Sequence, residues 1–222
     1  FIALSKPDLP PIILYFHENQ LTYPMGRHER SSHFLGAVNV ASARLADRVV
    51  FNSRFHMNAF MTGAETFFKK CPDMDFSHVL DDILLKSSVI YPGCDFPDII
   101  TPSLSDKDLP GLVIWNHRWE YDKNPKSFFE ALKRLKEKGV PFRLALLGER
   151  YPNIPDEFLQ AKDLFENELV AYDFVETKQA YFQWLQQGRV VVSTANQENF
   201  GISMVEAMRC GAVPVAPKRL SY

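Results

Sequence analysis

Apolar residues along the chain fall into short continuous blocks, separated by longer segments in which they return every third or fourth position. The blocks 12–16, 49–51, 88–91, 112–115, 144–147, 169–175, 190–194 and 211–216 read as strands, most of them suited to a buried parallel sheet. Helical spacing is kept by Phe34, Leu35, Val38, Ala41 and Leu45, and again by Phe128, Phe129, Leu132 and Leu135. Helices are therefore expected over 34–46, 54–68, 75–85, 125–138, within 155–167, over 177–187 and from about Gly201 onward. Asn52-Ser53 and Asn124-Pro125 supply start signals, and Gly139 a stop. Strand and helix alternate throughout, the pattern of an α/β fold with parallel sheets. From Phe96 to Gly111 the chain turns to Pro, Ser, Asp and Lys, a linker composition. The expected layout is one α/β unit over 1–98, a linker over 99–111 and a second unit over 112–222.

Polar residues gather where the strands end, and in open α/β sheets that edge is where ligands bind. After the 190–194 strand come Ala195-Asn196-Gln197-Glu198-Asn199-Phe200-Gly201-Ile202. A helix starting at about Gly201 to Ser203 offers unpaired N–H groups and the positive end of its dipole to an anion, and Gly201 lets the backbone come close. Glu198 and Glu206 flank that start. Successive helical residues rotate by about 100 degrees, so Glu206 shares a side with Ile202 and Cys210 while Met204, Val205 and Met208 are left to pack. Carboxylates beside an anion are tolerated when they address sugar hydroxyls. The pattern suits a phosphate with polyols on either side, as in a nucleotide-sugar, and it equally suits a surface helix with two solvated glutamates.

Arg118 and Lys123 lie in the loop after the 112–115 strand. Aimed at a diphosphate, they would neutralise the leaving group as its bond to the sugar breaks; as plain loop cations they would be solvated. His17 and Glu18 end the first strand, where His17 either meets a ligand or hydrogen-bonds the backbone. Arg27, His28 and Arg30 give the next loop a basic edge, for phosphates or for solvent. Asp95 is a turn residue or a domain-closing contact. Tyr181, Phe182 and Trp184 are read as core packing.

Composition narrows the class. The 222 residues are enough for one large or two small domains, and a hydrophobic content of 46% supports real cores. A formal net charge of −2 gives no bulk attraction to nucleic acid or acidic membranes, so any such contact must be a local patch. Cys71, Cys94 and Cys210 form no C-x-x-C pair and are odd in number, which favours reduced thiols and a cytoplasmic protein, the nucleus being a second option. No apolar run approaches the roughly 20 residues of a membrane span. No G-x-G-x-x-G follows the 112–115 strand, and no P-loop, zinc-ligand spacing or serine nucleophile elbow occurs.

Glu198-Asn199-Phe200-Gly201 with Glu206 in an E-x7-E arrangement, together with Arg118 and Lys123, resembles the retaining GT-B glycosyltransferases of the GT4 type. More narrowly, Ile13 to Leu21 (with His17-Glu18-Asn19-Gln20), Val50 to Ser53, His117-Arg118-Trp119-Glu120 with Asp122-Lys123, and Cys210-Gly211 with Pro217-Lys218 are similar to the tRNA-queuosine α-mannosyltransferase family, over nearly the whole chain. The resemblance implies two Rossmann-like domains facing a cleft, the acceptor side first and the donor side second. It implies GDP-mannose as donor and the cyclopentenediol of queuosine, in the anticodon of tRNA-Asp, as acceptor. It also implies retention of the anomeric configuration without an obligatory metal, the leaving phosphate taking the acceptor proton.

Carried over by position, Glu206 would hold the nucleotide ribose. Glu198 and the backbone of Asn199, Phe200, Gly201 and Ile202 would hold the sugar and phosphates. Arg118 and Lys123 would bind the diphosphate, and His17 would contact the donor sugar near the reacting carbon. Relatives begin with a further strand and glycine-rich loop and continue with further helices, while this chain opens at Phe1. It is therefore expected to be truncated at both ends and weakly active. Two other readings stay open: a lipid or polysaccharide acceptor, and a non-catalytic nucleotide-sugar-binding module.

Overall fold

The computed structural model describes residues 10–24, 33–70, 77–97 and 109–222. Arg27, His28, Arg30, Cys71, the first residues of the helix expected from 75 and most of the 99–111 linker lie outside the described residues.

The first unit runs β1 (Ile13–Phe16), α1 (His33–Leu45), β2 (Arg48–Phe51), α2 (Arg54–Phe68), α3 (Ser77–Leu85) and β3 (Ser87–Val89). Its strands form a parallel sheet in the order β1-β2-β3, with Ile13 opposite Arg48 and Val49 opposite Ser87. The rings of Phe16, Phe51 and Phe60 meet at 5.1 to 5.3 Å, and Val40, Ala43, Ala64 and Ile83 fill the space around them. Ser53 caps α2 as the sequence signal predicts, its hydroxyl accepting from the His56 N–H at 2.9 Å. The buried strand expected at 12–16 is half open instead. Ile13 is 69% exposed and Phe16 alone of the strand is buried, because β1 has a strand on one side only among the described residues.

The second unit continues with β4 (Gly111–Trp115), a 3-10 turn (Tyr121–Lys123), α4 (Pro125–Glu137), β5 (Phe142–Leu146), α5 (Asp156–Leu164), β6 (Leu169–Tyr172), α6 (Lys178–Gln187), β7 (Gly188–Val192), α7 (Ile202–Arg209) and β8 (Val213–Val215). All pairings are parallel, in the order β6-β5-β4-β7-β8. Successive side chains of a strand point to opposite faces. Val113 and Trp115 accordingly join Phe128, Phe129 and Phe158 of α4 and α5, while Leu112 and Ile114 join Phe182, Leu185, Met204 and Ala207 of α6 and α7.

Two sequence-level details come out differently here. Asn124 precedes α4 with left-handed backbone (φ 52°, ψ 57°), and its side chain donates to Ser127 Oγ at 2.9 Å instead of capping a helix N–H. Asparagine tolerates that backbone better than other side-chain-bearing residues, so it turns the chain into the helix by its conformation. Met208 is 50% exposed, because α7 turns Met204 and Ala207 toward the core.

From β4 the chain runs outward through β5 to β6, then returns to β7 on the other flank of β4. The strand order reverses between β4 and β7, and the loops leaving their carboxyl ends diverge there, which is where such sheets take ligands. Those loops carry Asn116 to Lys123 and Ser193 to Gly201. By contacts, Glu198–Phe200 and Ser221 group with the first unit, and Gly93–Gln197, Gly201–Leu220 and Tyr222 form the second.

Candidate functional site

At the exit of β1, His17 and Glu18 are exposed. The His17 carbonyl accepts from Asn52 Nδ2 at 2.9 Å, and its ring lies 4.8 Å from that of Tyr15. Asn52 thus ties the exit of β1 to the exit of β2. Since its amide nitrogen is committed to a carbonyl, its Oδ1 accepts, and His56 Nδ1 at 2.8 Å must carry the proton. The other ring nitrogen of His56 is buried without a hydrogen-bond partner among the described residues. Burial, and secondarily the neighbouring His17, lowers the His56 pKa to about 4.

At the exit of β4, Asp122 and Lys123 are both buried. Lys123 Nζ donates to the Gln197 carbonyl at 3.0 Å and lies 3.2 Å from Asp122 Oδ2. The latter is a charge contact rather than a directed hydrogen bond, since among the described residues neither Asp122 oxygen has hydrogen-bond geometry to a donor. The Asn196 N–H donates to the Asp122 carbonyl at 2.7 Å, and Thr194 Oγ1 contacts the carbonyls of Lys123 and Asn124 at 2.9 Å each. The turn at Lys123 is thereby sewn to the segment that leads into Glu198. Arg118 is placed otherwise. Half exposed, it pairs with Glu120 at 3.1 Å and sits 5.8 Å from the Tyr151 ring centre.

At the exit of β7, Gly201 has φ 88° and ψ 50°, a left-handed conformation that glycine adopts without steric penalty. Its carbonyl accepts from the N–H groups of Met204 and Val205 at 3.0 and 3.1 Å, so α7 starts where the sequence predicts. Within the preceding tip, the Phe200 N–H points at Glu198 Oε1 at 3.5 Å. Ile202 is exposed at the helix start and Glu206 is half-buried one turn further on.

Glu206 has a support that sequence reasoning missed. The Tyr181 hydroxyl donates to Glu206 Oε2 at 2.8 Å, and Asn116 Nδ2 donates both to that hydroxyl at 2.9 Å and to the Ser203 carbonyl at 2.7 Å. Ser203 Oγ lies 2.9 Å from His117 Nδ1. Burial raises the Glu206 pKa and the Tyr181 hydrogen bond opposes that rise; burial raises Tyr181 as well, so its phenol remains a donor. His117 is held down to about 3, by burial first and by Lys123 second, and is neutral. From sequence Tyr181 reads as core packing; its ring does pack, but its hydroxyl turns to the carboxylate. The signals available were an Asn directly after a strand and a Tyr among otherwise hydroxyl-free aromatics.

The two buried imidazoles carry a pH prediction. Their folded pKa values lie below the free value of about 6.5, so the unfolded chain binds more protons as pH falls below it. Their contribution to stability is complete above about pH 6.5 and declines as pH drops toward the folded values. Melting temperature should fall between about pH 6.5 and 5, above the range where most carboxylates titrate. A flat profile across that interval, at constant ionic strength, would contradict the burial of these rings.

Comparison with known proteins gives two family matches. Residues 1–94 match the family described as tRNA-queuosine alpha-mannosyltransferase N-terminal, and residues 99–220 match Glycosyl transferases group 1. A tRNA-queuosine alpha-mannosyltransferase of Drosophila melanogaster is 36% identical over 227 residues, covering 98% of this chain and 60% of the relative. The chain thus spans about 60% of that relative's length. Among solved structures, Anabaena Alr3699/HepE in complex with UDP and glucose matches with TM-score 0.65 and 21% identity, covering 95% of this chain and 54% of the other. Sucrose-phosphate synthase from Thermosynechococcus elongatus matches with TM-score 0.63 and 16% identity, covering 94% and 50%. At such identities the likeness concerns the fold, which is that of the GT-B enzymes.

Proposed function

Because the chain belongs to the group 1 glycosyltransferase family, which matches residues 99–220, we propose that it is part of a retaining mannosyltransferase moving mannose from GDP-mannose to the queuosine of tRNA-Asp. The observation that carries this reading is the 36% identity to the Drosophila melanogaster queuosine enzyme, which runs through both units of the chain.

The geometry at the start of α7 and in the loop after β4 supports the donor half. The start of α7, opened by Gly201, receives the phosphates, and the backbone of Asn199, Phe200 and Ile202 completes that cradle. Arg118 and Lys123 balance the diphosphate charge as the bond from its oxygen to the sugar C1 breaks. Lys123 is held among Asp122 and the Gln197 carbonyl, so its charge is preorganised and acts from a buried position. The family resemblance, rather than the geometry, assigns Glu206 to the ribose hydroxyls, Glu198 to the sugar hydroxyls and His17 to the sugar near C1. The acceptor hydroxyl attacks C1 on the face the diphosphate leaves, and its proton passes to the departing phosphate oxygen. That route keeps the configuration and requires neither a carboxylate nucleophile nor a metal.

Among the described residues no helix is long and apolar enough to cross a membrane. A tRNA acceptor places the activity in the cytoplasm or nucleus.

The test is mass spectrometry of nucleosides from queuosine-containing tRNA-Asp after incubation with the full-length protein and GDP-mannose. Queuosine is expected to gain a hexose. A hexose found on lipid or polysaccharide with none on the tRNA would overturn the acceptor, and absence of any binding to GDP would overturn the transferase reading.

A further inference from the structure

We infer that Tyr181, oriented by Asn116, is the positioning residue for Glu206, occupying one of its carboxylate oxygens and presenting the other to the nucleotide ribose. The inference rests on the reading of Glu206 as the ribose ligand.

The direction of every bond in this network is forced. The Ser203 carbonyl can only accept, so the amide nitrogen of Asn116 must face it at 2.7 Å. The same nitrogen reaches the Tyr181 oxygen at 2.9 Å, so that oxygen accepts. The single phenol proton is left for Glu206 Oε2 at 2.8 Å, an acceptor when ionised. Three separate elements meet in this network: the loop after β4 gives Asn116, the helix α6 gives Tyr181 and the helix α7 gives Glu206 and the Ser203 carbonyl. The carboxylate is held directly by one bond, from Tyr181, whose oxygen is itself fixed by Asn116, and a half-buried glutamate so tied samples fewer rotamers than a surface one.

Glu206 Oε1 accepts from no protein group among the described residues. Its lone pairs are available to vicinal hydroxyls, while the Tyr181 bond restrains where the carboxylate sits. The bond also opposes the effect of burial on this carboxyl, which favours the protonated form. A protonated carboxyl loses acceptor capacity, so the phenol preserves the acceptor as well as its aim.

The experiment measures GDP and 2′,3′-dideoxy-GDP affinity against pH for the full-length protein, Tyr181→Phe and Asn116→Ala. Wild type is expected to prefer GDP. Tyr181→Phe keeps the ring and should weaken GDP about tenfold, the usual effect of losing a hydrogen bond to a charged group, while dideoxy-GDP affinity barely changes. The acid limb of GDP binding should move to higher pH in Tyr181→Phe. Donor KM should rise with kcat nearly kept. Asn116→Ala should shift both readouts in the same direction by a smaller factor, which keeps the test open if Tyr181→Phe does not fold.

Wild-type GDP affinity and an unshifted acid limb in Tyr181→Phe would overturn the positioning role. Equal loss of both nucleotides, together with a lower melting temperature, would also overturn it, as the mark of a purely structural tyrosine. Failure of the wild type to discriminate the two nucleotides would instead overturn the ribose reading of Glu206 itself.

Discussion

Arg118→Ala is expected to lower kcat for sugar transfer by about two to three orders of magnitude, while changing folding stability by less than about 1 kcal/mol. The two halves of that expectation have different origins. In the structure Arg118 is half exposed, paired with Glu120 at 3.1 Å and 5.8 Å from the Tyr151 ring centre. Exposed pairs of this kind contribute little to stability. Charge placed where a diphosphate leaves acts instead on the transition state, where preorganised donors have their largest effect. Arg118→Lys should recover only part of the rate, because an ammonium lacks the planar two-pronged donor that matches phosphate oxygens. Steady-state kinetics of the full-length protein with GDP-mannose, alongside thermal melts, provides the check. A variant with wild-type kcat removes Arg118 from the chemistry.

Lys123 is a poorer probe of the same idea. It is 7% exposed and lies beside Asp122, which is 1% exposed. Removing the ammonium strands a buried carboxylate and loosens the turn from the Gln197 carbonyl, so rate and stability would change together. The contrast between these cations, five positions apart in one loop, could not be read from spacing. Both sit after a strand, and the sequence treats them alike; burial of one depends on the Thr194 and Asn196 contacts made by a segment some seventy positions later.

Much of the rest was legible because it is local. The α7 start at Gly201, the Ser53 cap and the alternation that makes parallel sheets follow from residue type and spacing within short windows. The position of the two candidate-site loops at the reversal of strand order follows from those elements once the sheet is assembled. What stayed hidden is long-range. Tyr181 lies 25 positions from Glu206 and 65 from Asn116, and nothing in the helical pattern of α6 distinguishes a tyrosine that packs from one that also donates. The half-open β1 was missed for a related reason. A continuous apolar run resembles a central strand whether or not a neighbour covers both of its edges.

Gly148→Ala is expected to destabilise the second unit by about 3 kcal/mol, at the upper end of overpacking effects, and to impair the site with it. An added Cβ would lie 1.7 Å from the His117 carbonyl oxygen, 2.8 Å from its carbon and 2.7 Å from Trp119 Cδ1. Two of those three atoms are backbone, so no side-chain rotation relieves the contact. The backbone itself is pinned: the His117 carbonyl accepts from Trp115 Nε1 at 3.0 Å, the Trp119 N–H donates to the Glu149 carbonyl at 2.9 Å, and Trp119 stacks on Phe158 at 4.4 Å. Gly148 does not have a positive φ, so close approach of two loops, rather than a turn, is what requires glycine there. Gly139 is the internal control. Its φ is 67° but a Cβ would meet nothing within 4 Å, and Gly139→Ala should cost only about 1 kcal/mol of backbone strain. Denaturant unfolding of both variants separates the two effects. If Gly148→Ala lies within error of Gly139→Ala, the loops after β4 and β5 slide past one another, and the fixed placement of Arg118 between His117 and Trp119 is lost as an argument for its role.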